Sequence, residues 1–368
     1  MLAYLYGNDC FCQLTKVDYY NTIDNKIYAF SKGKNPPFDS IVSFVEKHFF
    51  SEEDKIRAYY SWTATNINYD VEHLSNIISL SKMNVKATSG TSQTADTVFA
   101  KRKAVCEGFS TLLNKFCKAS SIQSYLVGGY SKLPDGEVNT DILHAWNVVR
   151  ADSNWKLIDV TWSGGFVNSM NQYVSRFSDK YFFSKPEEFI KDHLPLDPMW
   201  QLLIRPVSKN QFFDSKDSLS ESNLNYKDSI VKYIKLTNTE QKYIDALHSH
   251  LYDRENNTFM RDLDVYVNNT ASDYLLVASV HYNKFLNFQN QKMGKHPNAA
   301  ICKKAKQLLE IPKQDLIKAI DFLKPKKAYT AEYEKIFLEM LTNANSNLKS
   351  IKSTIDSINT YIKNIGGK

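Results

Sequence analysis

Three residues in the first half of this 368-residue chain have the types and spacing to do chemistry together: Cys106, His144 and Asp159. A thiol supplies a nucleophile, and an imidazole supplies a base that takes and returns its proton. A carboxylate can hold that imidazole in one tautomer and stabilise its cation. They occur in the order nucleophile, base, orienter, separated by 38 and 15 residues. Together they could attack an acyl carbon. Each alone also has a plainer reading: a small core hydrophobe, a satisfied core histidine and a strand-end cap. The choice depends on whether the surrounding elements bring the three together.

Cys106 stands where a polar, basic run gives way to apolar residues at Phe109, Leu112, Leu113 and Phe116, a spacing that describes one helix face. The cysteine then lies in the first helical turn, where unpaired N–H groups and the positive end of the dipole favour a thiolate. Cys117 falls inside the same helix and reads as packing. Beyond it the period drops to two. Strands are expected over 123–130, 143–149 and 155–162, with a turn over 132–141 and a four-residue polar turn at Ala151-Asp152-Ser153-Asn154. If Arg150 pairs with Trp155, Asp159 lies opposite Trp146 and diagonal to His144, on one face, within reach of a hydrogen bond. With a cysteine at a helix start upstream, the catalytic reading overtakes the plain one.

Upstream, Phe38, Ile41, Val42, Val45 and Phe49 mark one helix after the turn at 33–37. Ser51 caps a second helix that runs through Trp62 into 66–70. The polar stretch 79–96 reads as a loop or short helical turns.

These motifs carry a family resemblance. Lys103-Ala104-Val105-Cys106-Glu107-Gly108, Leu143-His144-Ala145-Trp146-Asn147 and Leu157-Ile158-Asp159-Val160-Thr161-Trp162 resemble the transglutaminase-like superfamily on its papain-like scaffold. Trp62 with Asn66-Ile67-Asn68-Tyr69-Asp70 matches the segment those domains carry before the cysteine. Tyr181-Phe182-Phe183 with Pro186, and His193-Leu194-Pro195 with Trp200-Gln201-Leu202-Leu203, are similar to the branch of kyphoscoliosis-type peptidases and bacterial secreted relatives. The resemblance covers roughly residues 18–206. It implies an α+β core in which the helix of Cys106 packs on an antiparallel sheet, with Cys106 as nucleophile, His144 as base and acid, and Asp159 as orienting carboxylate. Water or an amine would resolve the thioester, so no cofactor is implied. The Cys106 N–H is a natural oxyanion donor at a helix start. Gln93, thirteen residues upstream, is the candidate side-chain donor, with loop chemistry as its other reading. Trp146 is expected to line the site and shield the His–Asp pair, and Gly108 to let helix and sheet approach closely.

Composition excludes several classes. Hydrophobic content of 43% and charged content of 23% are those of a globular chain, and 46 basic against 40 acidic residues, scattered, do not indicate nucleic-acid binding. No apolar run is long enough to span a membrane. The first dozen residues read at best as the remnant of a signal peptide, which with the branch resemblance gives a secreted, periplasmic or cell-surface expectation. Cys10, Cys12, Cys106, Cys117 and Cys302 form no metal-like cluster, so no metal is expected.

The expected organisation is an N-terminal remnant (1–17), the catalytic domain (18–207), a polar linker (208–229) and a mostly helical C-terminal domain (230–368). In the last, Thr237 and Glu240 suggest a capping box. Helices are expected over 272–293, 299–309 and 314–323, broken at Gly294, Pro297, Pro312 and Pro325. The final helix carries Leu341, Leu348, Ile355 and Ile362 at sevenfold spacing, a seam for its own domain or for a partner or second copy.

Two functions of different class follow. One is a cysteine-dependent acyl-transfer enzyme acting on a peptide or on glutamine side-chain amides. The other is a non-catalytic surface module that keeps the fold for binding; intact Cys106, His144 and Asp159 count against it.

Overall fold

A computed structural model describes residues 15–82, 93–133, 136–214, 223–252, 257–294 and 297–366. The expectations for the N-terminal remnant with Cys10 and Cys12, for 83–92, for the turn residues Pro134 and Asp135 and for linker residues 215–222 lie outside them. The chain divides into two compact units, Met1–Tyr226 and Lys227–Lys368.

The first unit is α+β. Helices α1 (Lys16–Ser31), α2 (Phe38–His48) and α3 (Glu52–Asn66) precede a short strand β1 (Asn68–Tyr69). Ser51 caps α3 by accepting the Asp54 N–H at 3.0 Å. α3 ends earlier than expected, because residues 68–69 extend to pair. After α4 (Val71–Lys82) and α5 (Ala95–Lys101), Arg102 takes a left-handed conformation and strand β2 (Lys103–Ala104) runs parallel to β1. The Asp70 N–H donates to the Ala104 carbonyl at 2.8 Å. The segment 66–70 thus steers the chain that delivers Cys106.

Helix α6 (Cys106–Ala119) follows, and its buried face holds Phe109, Leu112, Leu113 and Phe116. Phe116 stacks on Phe38 and Tyr59 at centroid distances of 4.7 and 4.9 Å. The next strands are β3 (Ser124–Lys132), β4 (Val138–Ala151) and β5 (Asn154–Ile158), followed by helix α7 (Val160–Gly164) and the hairpin β6 (Gly165–Val167) and β7 (Tyr173–Ser175). Strand β8 (Phe182–Ser184), helix α8 (Pro186–Phe189), strand β9 (His193–Pro195) and helix α9 (Lys209–Asp214) complete the unit. The antiparallel sheet has the order β8-β5-β4-β3-β9, and α6 lies on β3 and β4.

Arg150 does pair with Trp155. The turn is tighter than expected: Ala151 pairs with Asn154, leaving Asp152 and Ser153 at φ of 47° and 70°. Two positive φ values make the type I′ turn that suits strand twist. The β3–β4 connection is also shorter than 132–141, because β4 begins at Val138. The third strand ends early. β5 stops at Ile158, and Asp159 caps α7, since an aspartate that accepts N–H groups two and three residues on favours a helix start over continued pairing.

The second unit is helical: α10 (Tyr226–Tyr233), α11 (Asn238–Tyr252), α12 (Asn257–Lys292), α13 (Ala299–Leu323) and α14 (Ala331–Gly366). The capping box forms, with Thr237 and Glu240 each accepting the other's backbone N–H, at 3.3 and 2.7 Å respectively. α12 begins at Asn257, well before the expected 272. The two helices expected on either side of Pro312 are one, with Pro312 inside. Ala344, Leu348, Ile351, Ile355 and Ile358 of α14 are buried in one cluster with Ala305, Leu309 and Leu316 of α13 and Phe285 of α12. The sevenfold seam thus packs within its own unit. Among the described residues no helix is long and apolar enough to cross a membrane.

Candidate active site

Cys106 is the first residue of α6, half-buried, and its N-cap residue Val105 makes no side-chain cap. The first N–H groups of the helix therefore have no side-chain acceptor at that cap. Asn147 on β4 fixes the helix against the sheet, its Nδ2 donating to the Ser110 carbonyl at 3.0 Å and to Asn114 Oδ1 at 2.9 Å. Three residues before it on the same strand, His144 is buried, and its Nε2 meets Asp159 Oδ2 at 2.7 Å. Cys106 lies near enough to the same imidazole to help raise it. With Nε2 on Asp159, Nδ1 is the remaining ring nitrogen.

Asp159 is fully buried and bound at both oxygens. Oδ1 accepts the N–H groups of Thr161 and Trp162 at 2.8 and 3.1 Å. Oδ2 meets His144 and also His193 Nε2, at 3.1 Å. Burial alone would raise the Asp159 carboxyl, but the charge and hydrogen bond of His144, reinforced by His193, hold it well below the usual carboxylate range. Burial likewise pushes the His144 imidazole down; the Asp159 charge and hydrogen bond, with a contribution from Cys106, outweigh it and raise it to about 10. Both directions describe a carboxylate facing an imidazolium.

Gln93 is brought to Val105, the residue before Cys106, across the intervening sequence. Its Oε1 accepts the Val105 N–H at 2.8 Å, which leaves its amide group to donate. Gly108 is needed here, although not for the sheet: a Cβ at that position would stand 2.4 Å from Gln93 Oε1 and 2.8 Å from both Ala104 Cβ and Val98 Cγ2. Trp146 is fully buried, its ring centroid 6.0 Å from His144 and 5.1 Å from His193, so it walls the pair from water.

Two residues of the site escape the sequence. Tyr69 on β1 is one: burial raises its phenol, and the nearby Cys106 and Asp159 push it in the same direction. His193, which the sequence shows only as part of a motif, is the other. It arrives on the edge strand β9, where no hydrophobic period exists to read. Asp192 Oδ1 meets its Nδ1 at 2.6 Å. His144, Asp159 and His193 each bring a donor atom within 4.8 Å of the others, a spacing able to hold a metal ion. The two Nε2 atoms both meet Asp159 Oδ2, at 2.7 and 3.1 Å.

The family model of the transglutaminase-like superfamily matches residues 45–160, which include Cys106, His144 and Asp159. Kyphoscoliosis peptidase of Mus musculus is 30% identical over 188 residues, covering 50% of this chain and 27% of the relative. The Homo sapiens protein of that name is 28% identical over 200 residues, covering 53% and 29%. This chain therefore spans less than a third of the length of either. A solved structure described as a TGase is similar with a TM-score of 0.29 and 23% identity, over 47% of this chain and 37% of that one. Residues 45–160 thus form a transglutaminase-like domain by that family model, and kyphoscoliosis peptidases are among the homologues of this chain.

Proposed function

We propose that the first unit is a cysteine-dependent acyl-transfer enzyme acting on the amide of a peptide or of a glutamine side chain. The observation that supports this reading is the His144–Asp159 contact at 2.7 Å on the sheet against which the helix starting at Cys106 packs. The Cys106 sulfur attacks the carbonyl carbon, and its proton rests on His144. As the C–N bond breaks, His144 gives that proton to the leaving amine, and a thioester remains. Water, or a second amine, then attacks while His144 removes its proton, and the thiol is released. Asp159 holds His144 with Nδ1 toward the thiol. The Cys106 N–H and the Gln93 amide are the oxyanion donors. "Peptidase" and "TGase", the words in the names of similar proteins, describe two fates of this thioester. Which one dominates depends on whether an amine outcompetes water.

Incubation with a peptide library, with and without a primary amine, reads the outcome by mass. Hydrolysed peptides or amine adducts are expected from the native chain and neither from Cys106→Ala. Turnover that persists in Cys106→Ala sinks the mechanism.

A further inference from the structure

His193 is fully buried, and both its ring nitrogens face carboxylates: Nε2 faces Asp159 Oδ2 at 3.1 Å and Nδ1 faces Asp192 Oδ1 at 2.6 Å. Asp159 is held low as described. Asp192 is pushed up by burial but carried below the usual range by its bonds to His193, Tyr181 and Lys180. A carboxylate oxygen only accepts when ionised, so an acceptor stands at hydrogen-bond distance from each ring nitrogen. The surrounding walls suit a cation. The centroids of Phe189, Trp162, Trp146 and Tyr181 lie 4.1, 4.5, 5.1 and 5.2 Å from its own, and aromatic faces attract a desolvated cation. The line continues outward: Tyr181 Oη and Lys180 Nζ both donate to Asp192 Oδ2, at 2.7 and 3.0 Å.

We propose that His193 is a positioning residue, a buried imidazolium clamped between Asp159 and Asp192 that fixes the Asp159 carboxylate and sets how tightly His144 holds its proton. This rests on the acyl-transfer reading and adds a part that reading does not contain. Without a countercharge Asp159 would pull on His144 alone, and a general acid that binds its proton too tightly gives it up slowly to a leaving amine. His193 shares the pull, and its own charge, 5.4 Å away by ring centroid, opposes a second positive charge on His144. The charged and titratable groups facing this pair are Cys106, Asp159, Asp192, Tyr181 and Lys180.

The test is His193→Gln, which keeps an N–H donor without the charge. The rate of Cys106 alkylation by iodoacetamide is followed against pH in the full chain, and the ring nitrogens of the native chain are read by 15N NMR, with His193 assigned from the variant. Neutralising His193 removes a repulsion and strengthens the pull of Asp159, two effects of one sign. The basic limb belonging to His144 is therefore expected to move up by about one pH unit, and native His193 should show two protonated nitrogens. A basic limb that stays put or moves down, as mere loss of support for Asp159 would make it, overturns the proposal. So does a single neutral tautomer at His193. If native Cys106 shows no His144-linked limb at all, the acyl-transfer reading fails, and the NMR result still decides the clamp.

Discussion

Gln93 Oε1 accepts the Val105 N–H at 2.8 Å, one residue before Cys106, so this glutamine is pinned next to the start of the helix that carries the nucleophile. With the carbonyl end committed, the amide end is the part able to meet an oxyanion. Gln93→Ala is expected to lower the rate of thioester formation with an activated ester by about 10²–10³, the usual loss for one such donor. Alkylation by iodoacetamide has no oxyanion and should change only a few-fold. Equal losses in both reactions would mean that Gln93 merely supports the fold around Cys106.

The His144–Asp159 pair also links stability to pH. His144 is raised from about 6.5 to about 10 in the folded chain. Its contribution is therefore complete below about 6.5 and is lost as pH rises toward about 10. Asp159 is depressed, so its contribution is present above the ordinary aspartate range near 4 and is lost only in stronger acid. Urea midpoints measured between pH 6.5 and pH 10 should fall for the native chain and fall less steeply for Asp159→Asn. Parallel slopes would show that the pair is not an ion pair.

Gly129 makes room for the strand that carries His193. A Cβ there would stand 2.1 Å from the Leu194 carbonyl oxygen and 2.5 Å from the Trp146 ring. One obstacle is backbone and the other a fully buried indole, so neither yields easily. Gly129→Ala is expected to cost about 1–3 kcal/mol by overpacking, measured by urea unfolding. It should also displace β9 and with it the His193 contact to Asp159. A variant as stable as the native chain would show that β9 shifts freely.

Much of this site was legible in the sequence because its parts are local. The helix face 109–116 and the Arg150–Trp155 register follow from periods of 3.6 and 2, and extending that register one step past the Asn147–Ile158 pair sets Asp159 diagonal to His144. What escaped is long-range or competitive. His193 meets Asp159 across 34 residues, from a three-residue edge strand. Asp159 leaves the strand because its side chain offers the next helix an N-cap. A similar competition decides Pro312. Local chemistry says the helix breaks there, yet buried residues continue through the proline: Cys302, Ala305 and Leu309 come before it, and Leu316, Ala319 and Ile320 after it.

Pro312 is therefore a place where tertiary packing overrides a residue that opposes it. A proline in a helix interior costs about 3 kcal/mol, because it removes one i→i−4 hydrogen bond and crowds the preceding turn. Alanine at this position would restore the N–H and the best helix propensity, at the loss of two buried ring carbons worth about 0.8 kcal/mol each. The balance favours alanine. Pro312→Ala should stabilise the helical unit by about 1–2 kcal/mol, seen as a higher guanidinium midpoint by circular dichroism. The direction separates two accounts of α13. If the proline shapes a bend that the packing against α12 and α14 requires, straightening the helix would pull Leu309 and Leu316 out of register with Phe285 and Leu348, and the midpoint would fall instead.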